Sequence, residues 1–291
     1  MPRAALSAFS SDRPTTSRPS SGRLPFAVVG LIVLLILAGC AVSPTGRRQV
    51  ILMSPLEMSQ MGETAFAQMK ESQPRSTDSA RTAYVQCVAQ AIIAELTPAE
   101  LRPVAIASWE VELFADRTAN AFALPGGKMG VHTGLLRVAT TPDQLAAVLG
   151  HEVAHVLAQH GNERVSQSTL AESGMAMAQV MIGADTPEKQ QLFGLLGAGM
   201  QYGVIMPFGR AQESEADEIG LRLMARAGFD PRQAISLWEN MARAAAGPQP
   251  PEILSTHPSH GTRIARQTAA MPEALQLYAT ARAAGRRPSC R

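Results

Sequence analysis

His151, Glu152 and His155 stand in the stretch AAVLGHEVAHVLAQHGNER, an apolar helical pattern running from Ala146 to Arg164. Polar groups buried without partners are costly, so three of them in one apolar helix call for a purpose. Residues four apart on a helix are turned by only about 40° around its axis. His151 and His155 therefore share a face, one turn apart, where two imidazole nitrogens could grip one cation. Glu152 lies beside them. This is the His-Glu-x-x-His pattern, in which two histidines hold zinc and the glutamate acts as a base on water. The motif alone leaves open a pair of capped or solvated histidines.

A catalytic zinc takes three protein ligands and keeps one position open. The stretch GRAQESEADEIGLRLMARAGFDP offers Glu213, Glu215 and Asp217 on a second expected helix. Glu213 and Asp217 are four apart and share a face. Glu213 can be the third ligand, while Asp217 accepts a hydrogen bond from a ligand histidine, fixing its tautomer and raising its basicity. Glu215 is turned about 200° from Glu213 and is expected to point away. The alternative for this acidic run is a solvated face. His132 and His160 are expected to be structural.

The elements that must position these residues follow from capping and periodicity. Thr141-Pro142-Asp143-Gln144 has the chemistry of a helix start, and the helix it opens carries the motif to near Gly161. Ser54-Pro55-Leu56-Glu57 reads as a capping box with proline at the first position. Tyr84, Val88, Ala91 and Ile92 recur at helical spacing over Asp78–Leu96. VAIASWEVELF, Val104–Phe114, then changes to strand composition, and Pro125-Gly126-Gly127 signals a hairpin. A small antiparallel sheet of about three strands is expected. Its residues Asn120, Ala121, Phe122 and Ala123 could pair with an extended substrate, or be structural only. Ala171–Met200 suggests loosely packed helices. Further helices are expected near Gln212–Arg226, Asp230–Ala245 and Thr262–Ala270. The fold class is α+β, mainly helical; without βαβ alternation it is not a doubly wound fold.

The chain has 291 residues, is 46% hydrophobic and has a formal net charge of +2. The basic excess sits in the leader, where Arg3, Arg13, Arg18 and Arg23 face Asp12 alone. No basic run with interleaved aromatics follows, which sets nucleic acid aside. The leader ends in FAVVGLIVLLILAG, Phe26–Gly39, for which an uncleaved membrane anchor is the alternative, though the run is shorter than the ~20 residues of a spanning helix. Leu37-Ala38-Gly39-Cys40 looks like a bacterial lipobox, with cleavage before Cys40 and lipidation of its thiol. Ala41 is not the Asp that would favour inner-membrane retention, which points to an outer-membrane lipoprotein facing the periplasm. The expected organisation is a signal peptide over 1–39, a lipidated tether over 40–53, one metallopeptidase domain over 54–275 and a tail over 276–291. Cys87 and Cys290 could form a disulfide in an oxidising compartment or stay as thiols.

The pieces TGRRQVILMSPLEM, NAFALPGGKMGVHTGLL, LAAVLGHEVAHVLAQHGNER, MPFGRAQESEADEIGLRLMARAGFDP and STHPSHGTRI resemble, in order and spacing, the HtpX and CaaX-prenyl-protease family of gluzincin-type zinc metallopeptidases, nearest its periplasmic LoiP and BepA branch. The resemblance implies a zincin-like domain holding one zinc per subunit, with His151, His155 and Glu213 as ligands and Glu152 as base. It implies a lipid-anchored endopeptidase acting on misfolded or unassembled envelope proteins, with outer-membrane assembly machinery as a further partner. His257 lies in THPSH, a segment close to the metal in relatives, and could act as a transition-state donor or as a plug. Arg263 could stabilise the oxyanion or form a surface ion pair. Two departures stand out. Position 132 is His where Tyr is common, and no repeat-bearing C-terminal domain is expected, so partner binding through such repeats is not implied. The alternative function is a chaperone or assembly factor with latent or no protease activity. Glu152 argues for the enzyme, because a structural zinc site needs no base. Peptide deformylase would need an upstream cysteine ligand, and Cys87 sits in no matching motif.

Overall fold

The computed structural model describes residues 40–182, 209–245, 253, 257 and 263–291. The expected signal peptide and residues 183–200 of the Ala171–Met200 stretch lie outside the described residues.

Strands β1 (Cys40–Val42) and β2 (Arg48–Val50) form an antiparallel ribbon. Helix α1 (Pro55–Ser72) starts with the expected capping box, Ser54 and Glu57 satisfying each other's backbone amides. Helices α2 (Ser79–Ile93) and α3 (Pro98–Leu101) are capped by Asp78 and Thr97. Strands β3 (Glu110–Phe114), β4 (Ala121–Leu124) and β5 (Lys128–His132) follow. Helices α4 (Pro142–Leu157), α5 (His160–Ile182), α6 (Arg210–Arg226), α7 (Gln233–Ala245) and α8 (Arg263–Ala283) complete the described chain. Among the described residues no helix is long and apolar enough to cross a membrane.

The three-stranded sheet is mixed rather than antiparallel. Its order is β3-β5-β4, with β3 parallel and β4 antiparallel to β5. The Pro125–Gly127 turn makes the expected hairpin, but β5 folds in between β3 and β4, which leaves β4 at an edge. The strand expected over Val104–Phe114 is confined to Glu110–Phe114, because β5 supplies partners only from Lys128, opposite Glu110. The residues before it close local turns instead, with Val104 N–H donating to Leu101.

Helix α4 forms the centre. Pro142 occupies its first turn, and Thr141 accepts from the Gln144 amide at 3.2 Å. Every residue from Gln144 to Leu157 except Ala147 is buried, as expected for a helix apolar all round. Two glycines set its crossing with α6. A Cβ on Gly220 would lie 2.7 Å from the His151 backbone nitrogen, and one on Gly150 would lie 2.9 Å from the Gly220 carbonyl oxygen. Only glycine allows this approach, and it brings the metal-binding face of α4 against α6. Gly220→Ala is therefore expected to force the backbones apart beside His151. Overpacking of this kind costs about 1–3 kcal/mol, and zinc retention should fall with it. Unchanged melting temperature and zinc content would remove the crossing as the reason for this glycine.

Helix α4 ends earlier than expected. Gln159, the only described non-glycine residue with a positive φ at 55°, turns the chain sharply, and α5 starts at His160. Helix α8 runs past the expected Ala270 to Ala283, crossing position 275 without a break. Cys87 on α2 and Cys290 in the tail are bridged, with Cα atoms 5.6 Å apart, within the span a disulfide allows.

Candidate active site

Four donor atoms meet where α4, α6 and His257 converge. His151, His155, Glu213 and His257 each offer one ligand atom, all lie within 4.8 Å of one another, and all four residues are buried. His155 Nε2 is 3.0 Å from His151 Nε2, and His257 Nδ1 is 3.3 Å from the same atom. Glu213 oxygens stand 3.3 Å from His151 Nε2, 3.4 Å from His155 Nε2 and 2.9 Å from His257 Nδ1.

These spacings can be tested against a metal. Tetrahedral zinc with bonds of ~2.0–2.1 Å holds its ligands about 3.3 Å apart. Five of the six edges, counting either Glu213 oxygen, run from 2.9 to 3.4 Å and lie near that figure, and the His155–His257 edge is within 4.8 Å. Glu213 Oε2 is buried and makes no well-aligned hydrogen bond among the described residues, with only the ion-pair contacts to His151 Nε2 and Arg263 Nη2 at 3.3 and 3.4 Å beside it. A buried carboxylate costs several kcal/mol to desolvate, whereas structural zinc binding releases about 10–16 kcal/mol, so a cation resolves the cluster. The acid–base chemistry agrees. Burial and the Arg263 guanidinium oppose a proton on His151, yet Glu213 and Asp217 outweigh them and hold its pKa at about 9. Burial pushes His155 well below its usual range. The residues fit one zinc.

Glu152 is buried but is not among the four donors. Burial raises its pKa, and Glu213 adds to that, while His257, His151 and a hydrogen bond from the Ala123 amide oppose it. Its Oε1 lies 3.6 Å from His257 Nε2. The Ala123 contact puts the carboxylate against β4. His132 N–H donates to Asn120 at 3.0 Å, so alternate residues Ala121 and Ala123 turn their N–H and C=O groups away from β5. The expected edge strand therefore has backbone groups directed toward the site. Phe122 does not: its ring covers Gly130, where a Cβ would lie 2.2 Å away, and packs near Phe114 and His132. Asn120 is buried at the strand's start.

Asp217 Oδ1 is 3.1 Å from His151 Nδ1. Arg263 is near the cluster, with Nη2 3.4 Å from Glu213 Oε2, but its nearest partner is Asp217 at 2.5 Å. Its guanidinium stacks on Trp238 at 3.6 Å, a cation–π contact that no sequence pattern announced. This buried site replaces the surface ion pair considered for Arg263. His132 is tied to Thr118 at 2.8 Å, away from the donors. His160 and Glu215 belong to a second buried polar network. Glu215 does point away from the donor cluster, yet it is buried, and His160 stands between it and His155. Helical angles could place Glu215 away from Glu213 but could not say that another buried polar network waits there.

Residues 79–270 match Peptidase family M48. The chain is 39% identical over 195 residues to the mitochondrial metalloendopeptidase OMA1 of Schizosaccharomyces pombe, covering 66% of this chain and 54% of that protein. It is 31% identical over 262 residues to bovine (Bos taurus) mitochondrial metalloendopeptidase OMA1, covering 86% and 49%. It is 30% identical over 212 residues to the beta-barrel assembly-enhancing protease of Escherichia coli K12, covering 71% and 42%. The chain thus spans about half the length of these relatives. The similarity reaches mitochondrial proteins as well as the bacterial one, wider than the periplasmic LoiP and BepA branch.

Proposed function

The chain belongs to peptidase family M48, and we propose that it is a lipid-anchored zinc metalloendopeptidase of the bacterial envelope that cleaves misfolded or unassembled proteins. The observation that carries the peptidase reading is the donor cluster with Glu152 between it and the outer edge of β4. Zinc bound there would polarise the scissile carbonyl and acidify its water. Glu152 accepts the water proton and passes it to the leaving amine. Ala121 and Ala123 hold an extended peptide by adding it to the sheet edge, which favours unfolded segments. Asp217 holds the His151 tautomer, and Arg263 fixes Asp217.

The anchor is Cys40, following the Leu37-Ala38-Gly39 sequence that supports cleavage and lipidation. That reading sets the enzyme on the outer membrane, facing the periplasm, where unassembled envelope proteins and their assembly machinery are the partners. The name of the E. coli relative supports this direction; the mitochondrial names of the others support the chemistry alone.

One observation favours a latent form. Open catalytic sites have three protein ligands, and His257 supplies a fourth donor. The Ile253 amide also donates to Ala119 at 3.2 Å, beside the start of β4. His257 therefore plugs the resting site where substrate would enter. Digestion of casein by the purified chain tests both points. Chelation should abolish cleavage and zinc should restore it. His257→Ala should raise kcat/KM several-fold. Cleavage that survives chelation would overturn the zinc reading. No cleavage by the parent or by His257→Ala would favour the chaperone alternative.

A further inference from the structure

We infer that Arg47, Glu215 and His160 form a relay that positions His155 for the metal, making the N-terminal ribbon part of the centre. The inference rests on the zinc reading above. A histidine that gives Nε2 to a metal carries its proton on Nδ1. His155 Nδ1 is 2.9 Å from His160 Nδ1. That nitrogen must then accept, so the His160 proton sits on Nε2, which is 3.2 Å from Glu215 Oε2. An ionised carboxylate only accepts. The chain of hydrogen bonds therefore has one direction, from His155 through His160 to Glu215.

Glu215 is fixed from outside. Arg47 Nε donates to its Oε2 at 2.9 Å, and the Thr45 hydroxyl donates to its Oε1 at 2.7 Å. The two other guanidinium nitrogens of Arg47 take both oxygens of Glu163 at 2.7 Å each. Gln212 donates to the same Glu163 at 2.6 Å. His160, Glu163 and Glu215 are all buried. Arginine's rigid fork suits this double engagement, and lysine could not reproduce it. The positive φ at Gln159 turns His160 back beneath His155.

The two ligand histidines are thus backed in different ways. His151 meets Asp217 directly, whereas His155 reaches Glu215 through a second imidazole. Both carboxylates come from α6, which also supplies Glu213. Arg47 and Thr45 lie outside the span that matches the family, residues 79–270. They are positioning residues and touch no substrate.

Outer partners of metal ligands typically contribute 10–100-fold in metal affinity. The test measures zinc affinity of the full chain by competition with a chromophoric chelator at fixed pH. Near-ultraviolet circular dichroism reports the fold of the metal-free protein. Glu215→Gln and Arg47→Gln should bind zinc about 10–100-fold more weakly. Lys70→Gln, which removes the Lys70 contacts with Glu110 at 2.5 Å and with the Phe66 ring and touches no member of the relay, should match the parent. Parent-like affinity in folded Glu215→Gln and Arg47→Gln would overturn the relay, because a purely structural network would not move this readout. If those variants lose their fold, Thr45→Val decides: weaker zinc binding supports the relay and parent affinity overturns it. A parent that binds no zinc would instead overturn the metallopeptidase reading, and the relay with it.

Discussion

Glu152→Gln is expected to lower kcat/KM for casein by about 10²–10⁴-fold, the usual worth of a general base, while zinc content stays at the parent level. Glutamine keeps the size of the side chain and can still accept from the Ala123 amide, so the contact between α4 and β4 survives. It cannot take a proton. Glu152 is not one of the four donors, so zinc should remain. Burial raises the carboxyl pKa and Glu213 adds to it, which moves the group toward the pH of its work, where it can both accept and return a proton. Turnover within tenfold of the parent, with chelation still abolishing activity, would remove Glu152 as the base. Loss of zinc along with activity would make it a support of the metal site instead.

Cys290→Ser should produce the largest loss of stability, about 2–4 kcal/mol. The bridge to Cys87 closes a sequence separation of 203 residues, and long loops gain most from closure. The tail it holds also packs against the body. The Arg286 carbonyl oxygen would lie 2.3 Å from a Cβ on Gly228, and Arg286 Nε reaches Glu95 at 2.5 Å. In a domain of this size the loss corresponds to a drop of roughly 5–15 °C in melting temperature. Reductant should lower the parent by the same amount and leave the variant unmoved. A parent insensitive to reductant would show that the bridge does not hold the tail. The pairing also bears on the expected boundary at residue 276: a helix crossing it and a disulfide beyond it tie that tail to the domain.

The parts legible in the sequence are those with a local cause. Capping residues announced α1 and α4 because their side chains meet backbone amides three residues away. The same-face relation of His151 with His155, and of Glu213 with Asp217, follows from helical pitch alone. The sheet was harder. Strand composition and the hairpin turn are local, but insertion of β5 beside β3 depends on partners remote in sequence. The true end of the motif helix was also hidden. Gln159 adopts a left-handed conformation uncommon for its residue type, which only the surrounding packing imposes.

By itself the sequence determined which atoms could hold a metal and which could move a proton, because residue type and the pitch of one helix decide both. Tertiary structure decided how those atoms meet. It brought α6 against α4 through Gly150 and Gly220, turned His257 into the fourth corner, and buried Glu215 and His160 behind His155 with the half-buried Arg47 closing the network. The reason is physical. A charge in a sequence looks solvated until something excludes water from it, and water is excluded by residues far along the chain. Whether Glu215 is a surface acid or the end of a hydrogen-bonded relay therefore depends on a ribbon some 170 residues before it.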